Sequence, residues 1–552
     1  MHARSFRPLV AVVAALSVFA AGCGDDDPTP SDSATDEGQG ITDVTIEDDG
    51  EPKSGGSLSY GVEAETDGWN PTSSQWAISG HLIGMTIFDT LAAYDETGEA
   101  APYLAESFEV DNTGMTWTIG VRDGVMFHDG TPCDAAAIAD ALERFRTSFL
   151  TQGALEPVES VTVVDPSTIE VKMATPWFSF PATLTTQVGF IAAPAQLAAE
   201  GAASVGQPIG TGPFVFDEWV PDDQLTVVRN EDYWREGLPY LEEITFRPIT
   251  DSTSRVNALL ARDLDVIHTV SQESIADLQV EAGNGEIQLL IDPTEQEEYF
   301  LMPNQSKPPF NDLRARLAVA HAIDRDEYIE TFGAGIVELA TGVFVPGSKW
   351  YAESEPPAYD PEEATRLVEE YEAEVGPISI TLGATNDPYT RSVMQSFVED
   401  LEAVGIEVEA EYTEQAQQIS AVVGGAYDIV DWRQFGAPDP DADYMWWHRG
   451  TGEAGAIDLN LAKIDNPDLD AALETGRTTD DPEVRAEAYA TVQREMNENV
   501  HYIWLNHTQW AIGASNDVRD IENGPLPDGT PSLPFGAQVS GVHRLTQTWL
   551  DQ

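Results

Sequence analysis

Residues 208–234, reading PIGTGPFVFDEWVPDDQLTVVRNEDYW, constrain the fold more than any other stretch. Gly210 and Gly212 bracket Thr211 ahead of Pro213, so the backbone there is tightly turned and nearly extended. Residues 214–216 and 225–228 then read as two strands around a Pro-Asp-Asp turn. A mid-chain hairpin behind a Gly/Pro passage suits an ordinary loop. It also suits a point where the chain passes from one lobe to another.

The same mixture of periods runs through the whole chain. Residues 57–62 alternate as a strand, 83–91 form an apolar run expected to be a helix, and 108–110 pairs with 116–119 as a hairpin. Asp134 is a good N-cap for a helix over 135–145, and 158–164 with 168–173 make a second hairpin. Residues 264–267 read as a short buried strand. Residues 378–382, 389–404 and 407–410 form a strand–helix–strand unit, with Gly405 as the helix stop. Residues 427–431 form another buried strand, leading into a loop over 432–447. No repeat period appears, so the class is α/β with antiparallel hairpins.

At 552 residues the chain has room for several domains and large cores. The first 22 residues stand apart. Arg4 and Arg7 precede an apolar run over 9–21, which has the length of a signal h-region and is too short for a membrane span. Ala20, Ala21 and Gly22 then lead into Cys23. This resembles a bacterial lipobox, with Ala20 where Leu is usual, so Cys23 is expected to be lipidated; a plain cleaved signal is the alternative. Residues 24–55 are rich in Asp, Ser, Thr, Gly and Pro and should stay disordered, a tether with an r.m.s. span of roughly 30 Å. Cys133 is the only other cysteine, so an internal disulfide is not expected.

The formal net charge is −69, which argues against nucleic acid or anionic lipid headgroups as partners. Only 5 of the 27 basic residues are Lys, a bias that fits a saline habitat and identifies no ligand.

The blocks PYLAESF at 102–108, MTWTIGVRDGVMFHDGT at 115–131, IGTGPF at 209–214 and PFNDLRAR at 309–316 occur in order. Arg229-Asn230 with Tyr233-Trp234, AIDR at 322–325, YDPEEA at 359–364, Asp439-Pro440 and residues 485–493 complete the series. Together they resemble the extracytoplasmic solute-binding proteins of ABC importers in family 5, which includes dipeptide, oligopeptide and nickel binders. The resemblance implies an α/β, two-lobed periplasmic-binding-protein fold of type II, the Venus-flytrap kind, with an additional inserted subdomain. It places lobe I at 56–83, 206–292 and 507–552, the insertion at 84–205, and lobe II at 293–506. Residues 1–22 are the signal peptide and 23–55 the lipidated Cys and acidic tether.

No zinc-protease, nucleophile-elbow or phosphate-loop motif occurs, and the histidines are scattered. His501 and His507 have poor ligand spacing, and His128 reads as a structural hydrogen-bonding residue. An enzyme, a cofactor and a metal site are therefore not expected. A cleft is, at strand-end loops. Trp69 and Asn70, Tyr299 and Asn304, Asn386, and then Trp432, Gln434, Phe435, Asp439 and Trp446 are its candidate ligand-binding residues. Trp117, Trp219 and Trp234 are assigned to packing.

Peptide binders of the resembled family place an Asp shortly after the tryptophan of this loop, where Phe435 stands here. The Arg expected around 384–387 is also missing. Losing both weakens the case for a zwitterionic dipeptide. The expected function is a lipid-anchored importer receptor, extracytoplasmic and monomeric, that hands a peptide or similar polar solute to a membrane permease. An oligosaccharide binder, a sensory module and a secreted carboxylate-dependent hydrolase are the alternatives.

Overall fold

The computed structural model describes residues 50–291, 297–450, 458–535 and 540–552. The expected signal segment, Cys23 and the tether up to residue 49 lie outside the described residues.

One sheet has seven strands in the order Ile287–Ile291, Ala511–Ser515, Val266–Thr269, Ser57–Val62, Glu243–Pro248, Gln224–Arg229 and Phe214–Val220. Ser57–Val62 lies parallel to both its neighbours, and the outer pairs are antiparallel. The helices Ser252–Leu260 and Gln272–Gly283 start at Asp251 and Ser271, whose side chains accept from Ser254 N and Ser274 N. Val256, Leu259, Ile275 and Leu278 on these helices pack with Leu264 and Ile267 in one apolar cluster. Gly61 allows this close approach: a Cβ there would stand 2.6 Å from Leu264 Cδ1.

A second sheet has five strands in the order Glu407–Thr413, Ser379–Thr385, Ile429–Gln434, Glu298–Pro303 and Ile503–His507. Ser379–Thr385 lies parallel to both neighbours, with the helices Pro388–Ala403 and Gln415–Val423 in the crossovers. Asp387 caps the first of these, accepting from Thr390 N, and Gly405 beyond its end has φ +96°. A third sheet, antiparallel and four-stranded, joins Ala105–Val110, Thr116–Val121, Thr168–Met173 and Val158–Asp165, with the Asp134-capped helix Ala135–Thr147 against it. The molecule is thus an α/β protein of two lobes with an inserted subdomain. Thr508, Gln509 and Trp510 carry the chain from the five-stranded to the seven-stranded sheet. Thr508 N–H donates to Glu297 O at 2.7 Å, which ties this crossing to the outgoing one.

The 208–234 stretch forms the edge hairpin of the seven-stranded sheet, Phe214–Val220 and Gln224–Arg229, with Asp222 at φ +64° in its turn. Just before it, Gly212 N–H donates to Ile87 O at 2.9 Å, and a Cβ on Gly210 would stand 2.0 Å from that same oxygen. The segment leading into the hairpin therefore lies flat against the backbone at Ile87–Phe88. His128 fastens it, its N–H donating to Gly210 O at 2.9 Å and its Nε2 lying 3.0 Å from Gly212 O. Asp89, buried beside this passage, accepts from Thr211 Oγ1, Tyr233 OH and Trp234 Nε1 at 2.8–3.0 Å.

Two expectations are corrected. The helix expected over 83–91 runs over Ile78–Ile87 instead. All of its residues are buried, so no polar face marks where it starts. The strand expected to stop at 431 runs over Ile429–Gln434, because Trp432 and Gln434 pair with Phe300 and Glu298 across the ladder. Trp432 and Gln434 are strand residues, not loop residues.

Candidate binding cleft

A cavity of about 1300 Å³ lies between the two large sheets. Its walls begin where the strands end: Glu63 follows Ser57–Val62, Val270 follows Val266–Thr269, Asn386 follows Ser379–Thr385, Glu414 follows Glu407–Thr413 and Phe435 follows Ile429–Gln434. These are the carboxyl ends of strands in α/β lobes, where side chains from adjacent loops converge. The volume exceeds that of most small-molecule pockets.

Three contacts join the lobes across the cavity. Phe435 meets the ring of His81 edge-on at 5.5 Å, with Trp446 stacked T-wise behind it at 6.0 Å. Tyr389 OH donates to Gln272 Oε1. Arg433, near the end of its strand, pairs with Glu63 at 2.9 Å and Glu297 at 3.4 Å, and lies over the Trp510 ring at 5.3 Å. Burial works against ionising Glu63, but Arg433, through its charge and hydrogen bond, together with His268 and Arg255 outweighs it and holds the carboxyl below its ordinary value. Glu297 sits deeper and farther from Arg433, so burial wins there and pushes it up to about 7. His268 receives the Glu63 N–H on Nε2 at 3.1 Å, and burial holds its pKa down to about 4, so the ring is neutral.

On the second lobe, Asp431 accepts from Gln418 Nε2 at 2.9 Å, and burial pushes its carboxyl up to about 6 against that bond. Burial likewise raises Asp443, which accepts from Ala437 N at 3.1 Å. Among the described residues, no group of three or more His, Cys, Asp or Glu is arranged to hold a metal ion.

Of the ten candidate residues, the structure brings six to the cavity: Tyr299, Asn386, Trp432, Gln434, Phe435 and Trp446. The other four lie elsewhere. Trp69 is 1% exposed and packs at 6.3 Å on Trp76 and 5.9 Å on Trp219. Asn70 spends its amide on Thr72 and Ser204, closing the turn. Asn304 donates to the carbonyls of Gly425 and Tyr427 and receives Ser306. Asp439 forms a bidentate pair with Arg485, at 2.6 and 2.9 Å, and caps the turn Pro440–Asp443. Asn70, Asn304 and Asp439 are thus satisfied by their own fold, and Trp69 is packed on all sides. Trp117 and Trp234 are packing residues as expected, donating to Trp177 O and Asp89.

Sequence reasoning missed Glu63, Glu297, Asp431, Arg433 and Gln418. A signal existed: Asp431 and Arg433 flank a tryptophan in a strand otherwise buried, where charge is costly without a purpose.

The family model for bacterial extracellular solute-binding proteins, family 5 (middle), matches residues 99–456. The chain belongs to this family. As a family 5 solute-binding protein it is 28% identical over 429 residues to the glutathione-binding protein GsiB of Salmonella paratyphi A, covering 74% of this chain and 81% of that one. Among solved structures it resembles AgaA of A. tumefaciens R10, in complex with agropinic acid: TM-score 0.80, 24% identity, 90% of this chain and 99% of that one. It also resembles DppA of Helicobacter pylori, in complex with the peptide STSA: TM-score 0.80, 21% identity, 91% and 99%. These likenesses share the two-lobed fold. Family 5 proteins are extracellular, and no helix among the described residues is long and apolar enough to cross a membrane.

Proposed function

We propose that this family 5 protein is the receptor of an ABC importer, anchored by a lipid on Cys23, that captures a peptide or similar polar solute and delivers it to a membrane permease. One observation carries the reading: the large cavity sits at the strand ends of two lobes and is walled by both. Support for import comes from relatives described as a glutathione-binding protein and an ABC transporter-associated periplasmic binding protein. The lobes are taken as 56–83, 206–292 and 507–552 against 293–506, with 84–205 inserted; the strand Ile503–His507 of the five-stranded sheet reaches one residue past the 506 bound.

Tyr299, Asn386, Trp432, Gln434, Phe435 and Trp446 contact the solute. Only solute contacts made with the second lobe after docking on the first can favour closure. The tether keeps a monomeric receptor concentrated at its permease.

A calorimetric screen of peptides, oligosaccharides and metal chelates tests this. One-to-one binding by a member of the panel is expected. No binding, with hydrolysis of a panel member instead, would overturn it.

A further inference from the structure

The cavity is lopsided in charge. Its described lining holds twelve carboxyls and two guanidiniums, Arg255 and Arg433. Both cations are committed. Arg433 is held by Glu63 and Glu297, and buried Arg255 donates to the backbone carbonyls of Ile249, Thr250 and His268. A solute carboxylate meets no uncommitted cation among the described lining residues.

A solute donor fares differently. Gln418, 6% exposed, gives its Nε2 to both Asp431 O at 3.0 Å and Asp431 Oδ1 at 2.9 Å. Flipping the amide would set its oxygen against two acceptors, so its orientation is fixed. That leaves Gln418 Oε1 buried and with no donor, on a residue that lines the cavity. Beside it, Asp431 is 7% exposed, with Asp387 near enough to oppose its ionisation. The Asp387 oxygens accept from Thr390 N and Thr385 Oγ1. The nearby cation Arg391 is engaged on Asn386 Oδ1 and over the Tyr412 ring. Of the acceptors in this corner, Gln418 Oε1 is left without a donor, and a buried acceptor left unmatched is costly.

We propose that the solute is net cationic, carrying amine or guanidinium groups, and that Asp431 and Gln418 Oε1 receive one of them. This rests on the cavity being the solute site. It concerns charge carried on the solute's own side groups, so the test removes the chain termini.

Three tetrapeptides, N-acetylated and C-amidated, differ only in two central residues: lysine, norleucine or glutamate. Each is titrated calorimetrically into the full chain. The lysine peptide is expected to bind at least tenfold more tightly than the norleucine peptide, and the glutamate peptide more weakly than either. Asp431→Asn should bring the lysine peptide down to the affinity of the norleucine peptide, with a melting curve confirming that the variant is folded. Equal or tighter binding of the norleucine or glutamate peptide overturns the cationic class, as does failure of all three peptides to bind. A neutral or anionic ligand from the broader screen would do the same while leaving the receptor function standing. Absence of any ligand from that screen is what removes the receptor reading itself.

Discussion

Asp431 shows what burial at the cleft does to a carboxyl, and Trp69 and Trp432 show how differently one residue type behaves away from the cavity and on its wall. The folded-state pKa of Asp431 is raised to about 6 from an ordinary 3.8, by burial and then by Asp387, with Gln418 and Arg433 pulling the other way. The folded protein therefore binds more protons than the unfolded chain between those values. In the empty protein this group's contribution to stability is intact below about pH 4 and is lost as pH rises to about 6. Asp431→Asn removes that loss. The variant should match the wild type near pH 4 and exceed it above pH 6 by on the order of 2–3 kcal/mol, read from urea unfolding at both pH values. A variant equal to or weaker than wild type at high pH would contradict the raised pKa. Trp69 and Trp432 make the second contrast. Trp69→Ala empties a fully buried site and should cost about 3–5 kcal/mol while the folded protein keeps its solute affinity. Trp432→Ala, on the cavity wall, should weaken binding with little loss of melting temperature. Exchanged outcomes would mean the two tryptophans have been placed the wrong way round.

At the scale of elements, local chemistry wrote its intentions plainly. Asp134, Asp251, Asp360 and Asp387 each cap the helix that follows them, and the hairpin after Gly212 is where its turn residues put it. What local pattern could not carry was burial on all sides. The helix Ile78–Ile87 has no polar face to phase it, and the strand Ile429–Gln434 is lengthened by a ladder partner more than a hundred residues away. The site suffered the same limit. Six of the expected residues line the cavity, and of these Asn386 and Phe435 directly follow strand ends of an α/β lobe, the position the pattern marks. Asn70, Asn304 and Asp439 look identical to ligand groups in sequence until their partners, Ser204, Tyr427 and Arg485, are seen folded against them. The tight passage expected at Gly210 and Gly212 has a steric cause, the close approach of Ile87. Gly212→Ala would place a Cβ 2.5 Å from the Ile87 carbonyl carbon. It should cost several kcal/mol, on the order of 2–4, measured as a drop in melting temperature, and solute affinity should be unaffected. A variant as stable as wild type would show that the close approach is dispensable.

For the whole molecule, two lobes joined by paired crossings enclose one large cavity, with Arg433, Tyr389 and Phe435 reaching across it. Fold and family are established by the sheet topology and the family match; the proposed solute class rests on how the lining charges of the cavity are spent. The strongly acidic chain, at −69, would hold most anions off by its general field, and the committed guanidiniums leave the interior no exception. The most direct measurement is a crystal structure of the protein with the tightest-binding member of the solute panel. The account predicts solute density between the lobes, against Trp432 and Phe435, with a donor on Asp431. Solute bound on the outer surface, with the cavity between the sheets left empty, would contradict it.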